Sequence, residues 1–156
     1  AKPLHILVAE DDDVSRYALR MFLRRLGHVP VCVSNGRQAL EMLQLYPFHC
    51  LSPAIQMPDI DGLEVIRRSR EHELDGIEPS EAAPALLREE IPYWRECPLA
   101  VPRDIVAVTV SAHTMKGDKE RFLDAGMNFY LSKPIIMSEL SGVLRQVAAH
   151  FKADRR

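Results

Sequence analysis

The fold class follows from one stretch near the start of the chain, Leu4-His5-Ile6-Leu7-Val8-Ala9-Glu10-Asp11. A nearly continuous apolar run that ends in two acids is typical of a strand buried on both faces of a parallel sheet. The next apolar residues follow at the i, i+3, i+4 and i+7 spacing of a helix: Val14, Tyr17, Ala18 and Met21. The stretch therefore predicts a strand followed by a helix.

The same alternation of strand and helix occurs five times along the chain. Further strands are predicted at residues 29–33, 50–55, 105–110 and 129–131. Helices are predicted after them, around 39–43, over 63–70, over about 116–125, and from an N-cap at Ser138 to residue 151. Such alternation implies a doubly wound α/β fold, a parallel sheet with helices on both faces. Pro53 inside the third strand cannot donate to a ladder and is typical of an edge or a bulge.

Length and composition exclude several function classes. The chain has 156 residues, which fits one domain over 1–156, and its net charge is −2. This balance argues against nucleic-acid or membrane binding by the domain, because both need a concentrated basic surface. No apolar stretch approaches the ~20 residues of a membrane span. The three cysteines and six histidines form no cluster in the sequence, which argues against a disulfide framework or a zinc site and favours the cytoplasm.

One segment, residues 71–103, interrupts the alternation between the third helix and the fourth strand. It carries eight acids, three arginines and five prolines, and it shows no strand or long helix. Connections longer than about 12 to 15 residues are uncommon in compact domains and tend to be functional or disordered. We predict an acidic, proline-rich insert. Its Tyr93 and Trp94 would either anchor an interface with a partner or, as we favour, hold the insert against the domain.

Polar residues follow the predicted strands at the points where ligands bind in such folds. In a doubly wound sheet, ligands lie outside the carboxyl ends of the strands. Glu10 and Asp11 follow the first strand, Ser111 ends the fourth, and Lys133 follows the fifth. Paired carboxylates are suited to Mg²⁺, and a hydroxyl and an ammonium opposite them could hold phosphoryl oxygens. These residues are expected to converge on one pocket.

Six motifs at these positions give the chain a resemblance to a known family. They are Ile6-Leu7-Val8-Ala9-Glu10-Asp11, Ile55-Gln56-Met57-Pro58-Asp59-Ile60-Asp61-Gly62, Ser111-Ala112-His113, Met115-Lys116-Gly117-Asp118, Ala125-Gly126-Met127 and Tyr130-Leu131-Ser132-Lys133-Pro134. With them the chain, apart from residues 71–103, resembles the receiver (response regulator) domain of two-component phosphorelay systems. It looks most like the receivers of hybrid histidine kinases. The resemblance implies a flavodoxin-like fold with a five-stranded parallel sheet.

The resemblance also implies a role for each pocket residue. Glu10 and Asp11 would be the acidic pair that binds Mg²⁺, and the backbone carbonyl of Gln56 would be a further metal ligand. Ser111 would be the hydroxyl that senses the phosphoryl group, and Lys133 would be its ion-pair partner. Tyr130 would be the aromatic switch residue that reorients on activation.

The chain departs from the family at the residue that accepts the phosphoryl group. Such receivers carry an aspartate four residues before the motif proline, and counting back from Pro58 leads to Ala54. Alanine has no nucleophile, so the domain is predicted not to undergo aspartyl phosphorylation. We expect weaker Mg²⁺ binding and a Lys133 that pairs directly with Glu10 or Asp11. Both a natural loss and an engineered substitution of the acceptor are consistent with the sequence.

Three nearby residues are poor substitutes for the missing aspartate. Ser52 points to the same face of its strand as Ala54 but lies one pleat deeper. Asp59 and Asp61 are loop acids, and their expected roles are turn formation and helix capping.

The resemblance implies a signalling role without enzymatic activity for the isolated domain. Its partner would be a histidine kinase or a histidine phosphotransfer protein, and its surface around Tyr130 and the last helix would make the contact. The parent chain would be a stand-alone receiver or a hybrid histidine kinase.

Two alternative functions are open at this point. The first is an interaction module that never used phosphate and works through the insert 71–103. The second is a haloacid-dehalogenase-like phosphatase, with Asp11 as nucleophile and Asp13 as acid/base. That family also needs a further acidic pair after a later strand, and only Glu139 and Asp154 follow Lys133.

Overall fold

The structure is a computed structural model that describes residues 3–45, 48–71, 105–111 and 116–153. The predicted insert 71–103 lies outside the described residues apart from Glu71, and so do the motif residues Ala112, His113 and Met115. Within the described ranges, no helix combines the length and the apolar character that crossing a membrane requires.

Strands and helices alternate five times in the described residues, as the sequence predicts. The strands are β1 (His5–Ala9), β2 (Val29–Val33), β3 (Cys50–Pro53), β4 (Val106–Ser111) and β5 (Phe129–Ser132). The helices are α1 (Asp13–Arg25), α2 (Gly36–Leu45), α3 (Gly62–Arg70), α4 (Asp118–Asp124) and α5 (Met137–Ala153).

The five strands form one parallel sheet in the order β2-β1-β3-β4-β5. The order reverses between β1 and β3, because the chain adds β2 on one side of β1 and the later strands on the other. This reversal leaves a crevice at the carboxyl ends of β1 and β3. The predicted fold class, a flavodoxin-like α/β fold with a five-stranded parallel sheet, is confirmed.

Helices cover both faces of the sheet and create two hydrophobic cores. Side chains alternate along each strand, so Leu7 and Ala9 of β1 enter one core while Ile6 and Val8 enter the other. The first core packs against α2, α3 and Phe122 of α4, and the second packs against α1 and α5. The strands are therefore buried on both sides, which explains their nearly continuous apolar sequences.

The predicted first helix is present, but the apolar spacing that predicted it lies on its outer face. Val14, Tyr17 and Met21 are 76%, 66% and 37% exposed, whereas Leu19 and Leu23 are buried in the second core. The α1 sequence carries apolar residues on two faces, so the pattern predicts a helix without fixing which face packs inward.

Two local predictions were wrong. Ser138 is the second residue of α5 rather than its N-cap, because an i to i−4 bond from Leu140 N to Ile136 O (3.0 Å) already begins the helix before it. Pro53 lies in the central strand β3, where neither an edge nor a bulge was needed. Proline is tolerated there because its nitrogen faces β4, where the pairing is interrupted between Leu51 and Ala54. The next residue bonds to β1 in the usual way, with Ala54 N donating to Ala9 O (2.7 Å).

Candidate functional site

The carboxyl ends of β1, β3, β4 and β5 surround a cleft of about 480 Å³. Parallel strands bring these ends to one edge of the sheet, so residues far apart in sequence share the cleft. The lining includes all but one of the predicted site residues: Glu10, Asp11, Ala54, Gln56, Ser111 and Lys133. Tyr130 is the exception.

The central contact of the cleft is an ion pair between Lys133 and Glu10. Lys133 Nζ lies 2.8 Å from Glu10 Oε1 and 3.4 Å from the hydroxyl of Ser15. The Glu10 side chain is 9% exposed, so its carboxylate is held in place within the cleft wall. The expectation that Lys133 pairs directly with one of the two acids is confirmed for Glu10.

The neighbouring acids are arranged differently from Glu10. Asp11 is exposed at the mouth of the cleft. Asp12 caps α1 by accepting a hydrogen bond from Ser15 N (2.8 Å), and the hydrogen bonds from Ser15 lower the pKa of Asp12. Asp13 is bound to Arg16 and lies outside the cleft. The arrangement that a phosphatase would need, with Asp13 facing Asp11 across the cleft, is not formed.

Ala54 lies directly after β3, at the floor of the cleft. It is 9% exposed, and it forms a parallel bridge with Val110 of β4. Gly62 approaches its carbonyl oxygen so closely that a Cβ on Gly62 would lie 2.2 Å from that atom. The Ala54 backbone is therefore fixed from two sides, and the residue lines the cleft.

The residues considered as substitutes for the missing aspartate have other tasks. Ser52 is 7% exposed and lies outside the cleft lining. Asp61 caps α3 by accepting from Glu64 N (2.8 Å), as predicted. Asp59 accepts from Gly36 N and Arg37 N, both at 3.1 Å, and so caps the start of α2. Both loop acids thus have the capping role that the sequence predicts.

Ser111 and Tyr130 lie on the strands next to the cleft. Lys133 N donates to Ser111 O (2.8 Å), which ties the end of β4 to the loop after β5. Tyr130 packs against Phe122, with ring centroids 5.6 Å apart. Its hydroxyl is buried and has no hydrogen-bond partner within the described part of the chain. Because Phe122 lines the cleft, Tyr130 is one side chain away from it.

Four further residues at the cleft were not predicted. Asp118, Arg121 and Phe122 reach it from α4, and Ser15 reaches Lys133 from α1. The first three could have been found from the sequence, since a helix that follows the fourth strand must begin at the same edge of the sheet. No comparable signal exists for Ser15, because its contact with Lys133 depends on the lysine rotamer.

The donor atoms of the cleft suit a hard cation such as Mg²⁺. Glu10 and Asp11 offer carboxylate oxygens, and Gln56 offers a backbone carbonyl near them. The cleft also holds two cationic side chains, Lys133 on Glu10 and Arg121 on Asp118. In the described residues no group of three or more His, Cys, Asp or Glu side chains could hold a metal ion. The site fits Mg²⁺ with two carboxylates and water as the remaining ligands.

Comparison with known families agrees with this architecture. The model of the response regulator receiver domain family matches residues 6–78. Hybrid signal transduction histidine kinase I of Dictyostelium discoideum is 31% identical over 159 residues, which cover 98% of this chain and 8% of that kinase. The chain spans about a tenth of the length of the first curated relatives it matches.

Solved structures show the same fold. The receiver domain of a Pseudomonas aeruginosa sensor histidine kinase, which has a magnesium ion coordinated in its active-site cleft, is 25% identical, with a TM-score of 0.67 and coverage of 92% of this chain and 96% of that one. The receiver domain of Saccharomyces cerevisiae Ssk1 was solved with the histidine phosphotransfer protein Ypd1. It is 21% identical, with a TM-score of 0.67 and coverage of 90% of this chain and 85% of that one. The chain described here belongs to the response regulator receiver domain family.

Proposed function

We propose that this receiver domain signals through protein contacts in a phosphorelay and cannot accept a phosphoryl group on aspartate. One observation carries the proposal: Ala54, directly after β3, lines the same cleft as Glu10, Asp11 and Lys133. Phosphoryl transfer to a receiver needs a carboxylate nucleophile at this place, and a methyl group cannot supply one.

The remaining cleft residues support a pocket that lacks only its nucleophile. Glu10, Asp11 and the Gln56 carbonyl would hold Mg²⁺, which would neutralise phosphoryl oxygens when bound. Ser111 and Lys133 lie on neighbouring strand ends, where they would hold the same oxygens. Tyr130 would transmit the change from the cleft to the outer surface through its contact with Phe122.

The partner in this proposal is a histidine kinase or a histidine phosphotransfer protein. The support is the family itself and the solved complex of the Ssk1 receiver domain with Ypd1. Because the first curated relatives are histidine kinases about ten times longer than this chain, we also propose that the parent protein is a hybrid histidine kinase that places this domain in the cytoplasm. The domain would contribute binding to that protein and no catalysis of its own.

The test compares the wild-type chain with Ala54→Asp and Ala54→Asn. Each protein is incubated with Mg²⁺ and a small-molecule phosphodonor, and its intact mass is measured. We expect a phosphoryl adduct only on Ala54→Asp. The asparagine variant is the matched control, because it fills the same space without a nucleophile.

Two other outcomes would contradict the proposal. A phosphoryl adduct on the wild-type chain would show that another residue accepts the group. No adduct on any variant would show that the pocket has lost more than its acceptor, and the interaction module that uses residues 71–103 would then be the better hypothesis. Deletion of residues 71–103 would abolish partner binding if the chain is such an interaction module, and it would leave most partner binding intact if the chain is a receiver that lacks only its acceptor.

A further inference from the structure

The Lys133 ammonium lies on the carboxylate that the proposed metal site needs most. We propose that Lys133 is a built-in competitor of Mg²⁺, so that a divalent cation binds Glu10 only after displacing this side chain. The inference rests on the proposed function, because it takes the cleft as a metal site. Beyond the proposed function, the inference names Lys133 as the residue that controls the Mg²⁺ affinity of a receiver with alanine at position 54.

Both carboxylate oxygens of Glu10 are in use in the structure. Oε1 is 2.8 Å from Lys133 Nζ, and Oε2 accepts a hydrogen bond from Asp12 N (3.4 Å). The carboxylate is almost fully enclosed, with 9% of the side chain exposed. A metal ion that binds Glu10 would therefore have to share this enclosed carboxylate with the ammonium group.

The lysine is also held from its own side. Its ammonium has a second contact, the Ser15 hydroxyl at 3.4 Å, and its backbone amide is bonded to Ser111 O at 2.8 Å. Lys133 is 25% exposed, so solvent reaches the ammonium and the pair can open. The Lys133 ammonium is thus a positive charge attached to the cleft that a dissolved cation such as Mg²⁺ could replace on Glu10.

Ala54 explains why the lysine is on Glu10. Position 54 lines the same cleft, and a carboxylate there would offer Lys133 another counter-ion and the metal another ligand. The other cation of the cleft, Arg121, pairs instead with Asp118, with 3.6 Å between its guanidinium nitrogen and the carboxylate oxygen. Two positive charges on one enclosed carboxylate repel each other, so metal and ammonium bind in competition.

Isothermal titration with Mg²⁺ tests the proposal on four proteins: wild type, Lys133→Met, Ala54→Asp and Lys119→Met. We expect Lys133→Met to bind Mg²⁺ about tenfold more tightly than wild type, which corresponds to the loss of one partly buried competing ion pair. Lys119→Met removes the same charge from the exposed surface of α4, and its affinity should stay within about twofold of wild type.

The outcomes separate this inference from the metal site itself. If Ala54→Asp binds Mg²⁺ while Lys133→Met and wild type are equal, the metal site exists and the competition is refuted. If no protein binds Mg²⁺, both the metal site and the competition fail. An equal gain in Lys119→Met would refute the competition as well, because the effect would then be a matter of net charge.

A second measurement covers the case in which Lys133→Met does not fold. In the wild-type protein, the Nζ resonance of Lys133 is followed by NMR during the Mg²⁺ titration, and Lys133→Gln supplies the assignment. We expect this resonance to move in step with metal binding as the ammonium leaves Glu10. A metal-saturated protein with an unchanged Lys133 resonance would overturn the proposal.

Discussion

The two ends of the parallel strands form two edges of the sheet, and their ionisable groups differ: charged side chains surround a cleft at the carboxyl edge, and histidines lie at the amino edge. At the carboxyl edge, Glu10, Asp11 and Lys133 surround a cleft that is open to solvent. At the amino edge, His5 begins β1, and His28 and His49 directly precede β2 and β3. His5 and His49 are 2% and 0% exposed.

Two of these histidines, His28 and His49, accept hydrogen bonds from the backbone through their rings. His49 Nδ1 accepts from His5 N, and His28 Nδ1 accepts from Leu4 N, both at 3.0 Å. The His49 ring packs on His5 and Phe151, with centroids 5.5 and 5.3 Å away. Burial lowers the pKa of both His5 and His28 to about 4, and His49 adds to the effect at His5.

This difference separates function from stability within one sheet. At the carboxyl edge Asp11 and Lys133 are reached by solvent and can exchange partners, which binding requires. At the amino edge His28 and His49 complete backbone hydrogen bonds, which folding requires. Changes at the amino edge should therefore alter stability, and changes at the mouth of the cleft should alter binding.

The largest expected effect is the loss of stability in acid. In the folded state His5 and His28 have a pKa of about 4, below the ordinary value of 6.5, so the unfolded chain binds more protons between these values. Their contribution is complete above about pH 6.5 and is lost as the pH falls towards 4. We expect the free energy of unfolding to fall by about 3 kcal/mol from pH 7 to pH 5, after discounting for the partial exposure of His28.

Urea unfolding at the two pH values measures this loss. His28→Asn is the matched variant, because its side-chain oxygen can still accept from Leu4 N but does not titrate. It should lose about 1 to 2 kcal/mol less than wild type over the same range. The interval ends at pH 5, above the ordinary range of carboxyl groups, so an equal loss in both proteins would remove His28 as one of its causes.

The next effect, about 2 kcal/mol, concerns the backbone under the cleft. In Gly62→Ala the new Cβ would lie 2.2 Å from Ala54 O, a backbone atom that cannot turn aside. We expect thermal unfolding at a clearly lower temperature, because α3 and the floor of the cleft must move apart.

Gly142 within α5 is the control for this substitution. A Cβ there meets no atom within 4 Å, so Gly142→Ala should stabilise the protein by about 0.5 to 1 kcal/mol through helix propensity. If both alanine variants shifted the melting temperature in the same direction, the tight contact between Gly62 and Ala54 would not be the reason.

The contrast between the edges also shows which features the sequence could predict. The carboxyl-edge cluster was predictable because strand–helix alternation forces the ends of parallel strands together, whatever side chains they carry. The amino-edge histidines were not predicted. They are far apart in the sequence and follow no motif, and their common role appears only when the strand register brings His5 and His49 together.

Side-chain packing set the remaining limits of prediction. The sequence of α1 predicts a helix, but apolar residues on two faces left its orientation open until Leu19 and Leu23 were seen in the core. From the sequence, charge alone predicts that Lys133 pairs with Glu10 or Asp11, without choosing between the two acids. Burial decided between them, because Glu10 lies in the cleft wall and Asp11 faces solvent.

The smallest expected effect on stability comes from Asp11→Asn at the mouth of the cleft. Asp11 is exposed and is followed by Asp12 and Asp13, so removing its charge relieves repulsion and breaks no buried contact. We expect the free energy of unfolding to stay the same or rise by up to about 0.5 kcal/mol. Mg²⁺ binding of the Ala54→Asp protein, measured by calorimetry, should nevertheless weaken at least about tenfold when Asp11→Asn is added, because one of its carboxylate ligands is gone. A loss of stability as large as that caused by acid would mean that the cleft is also part of the folding core, and the division between the two edges would then fail.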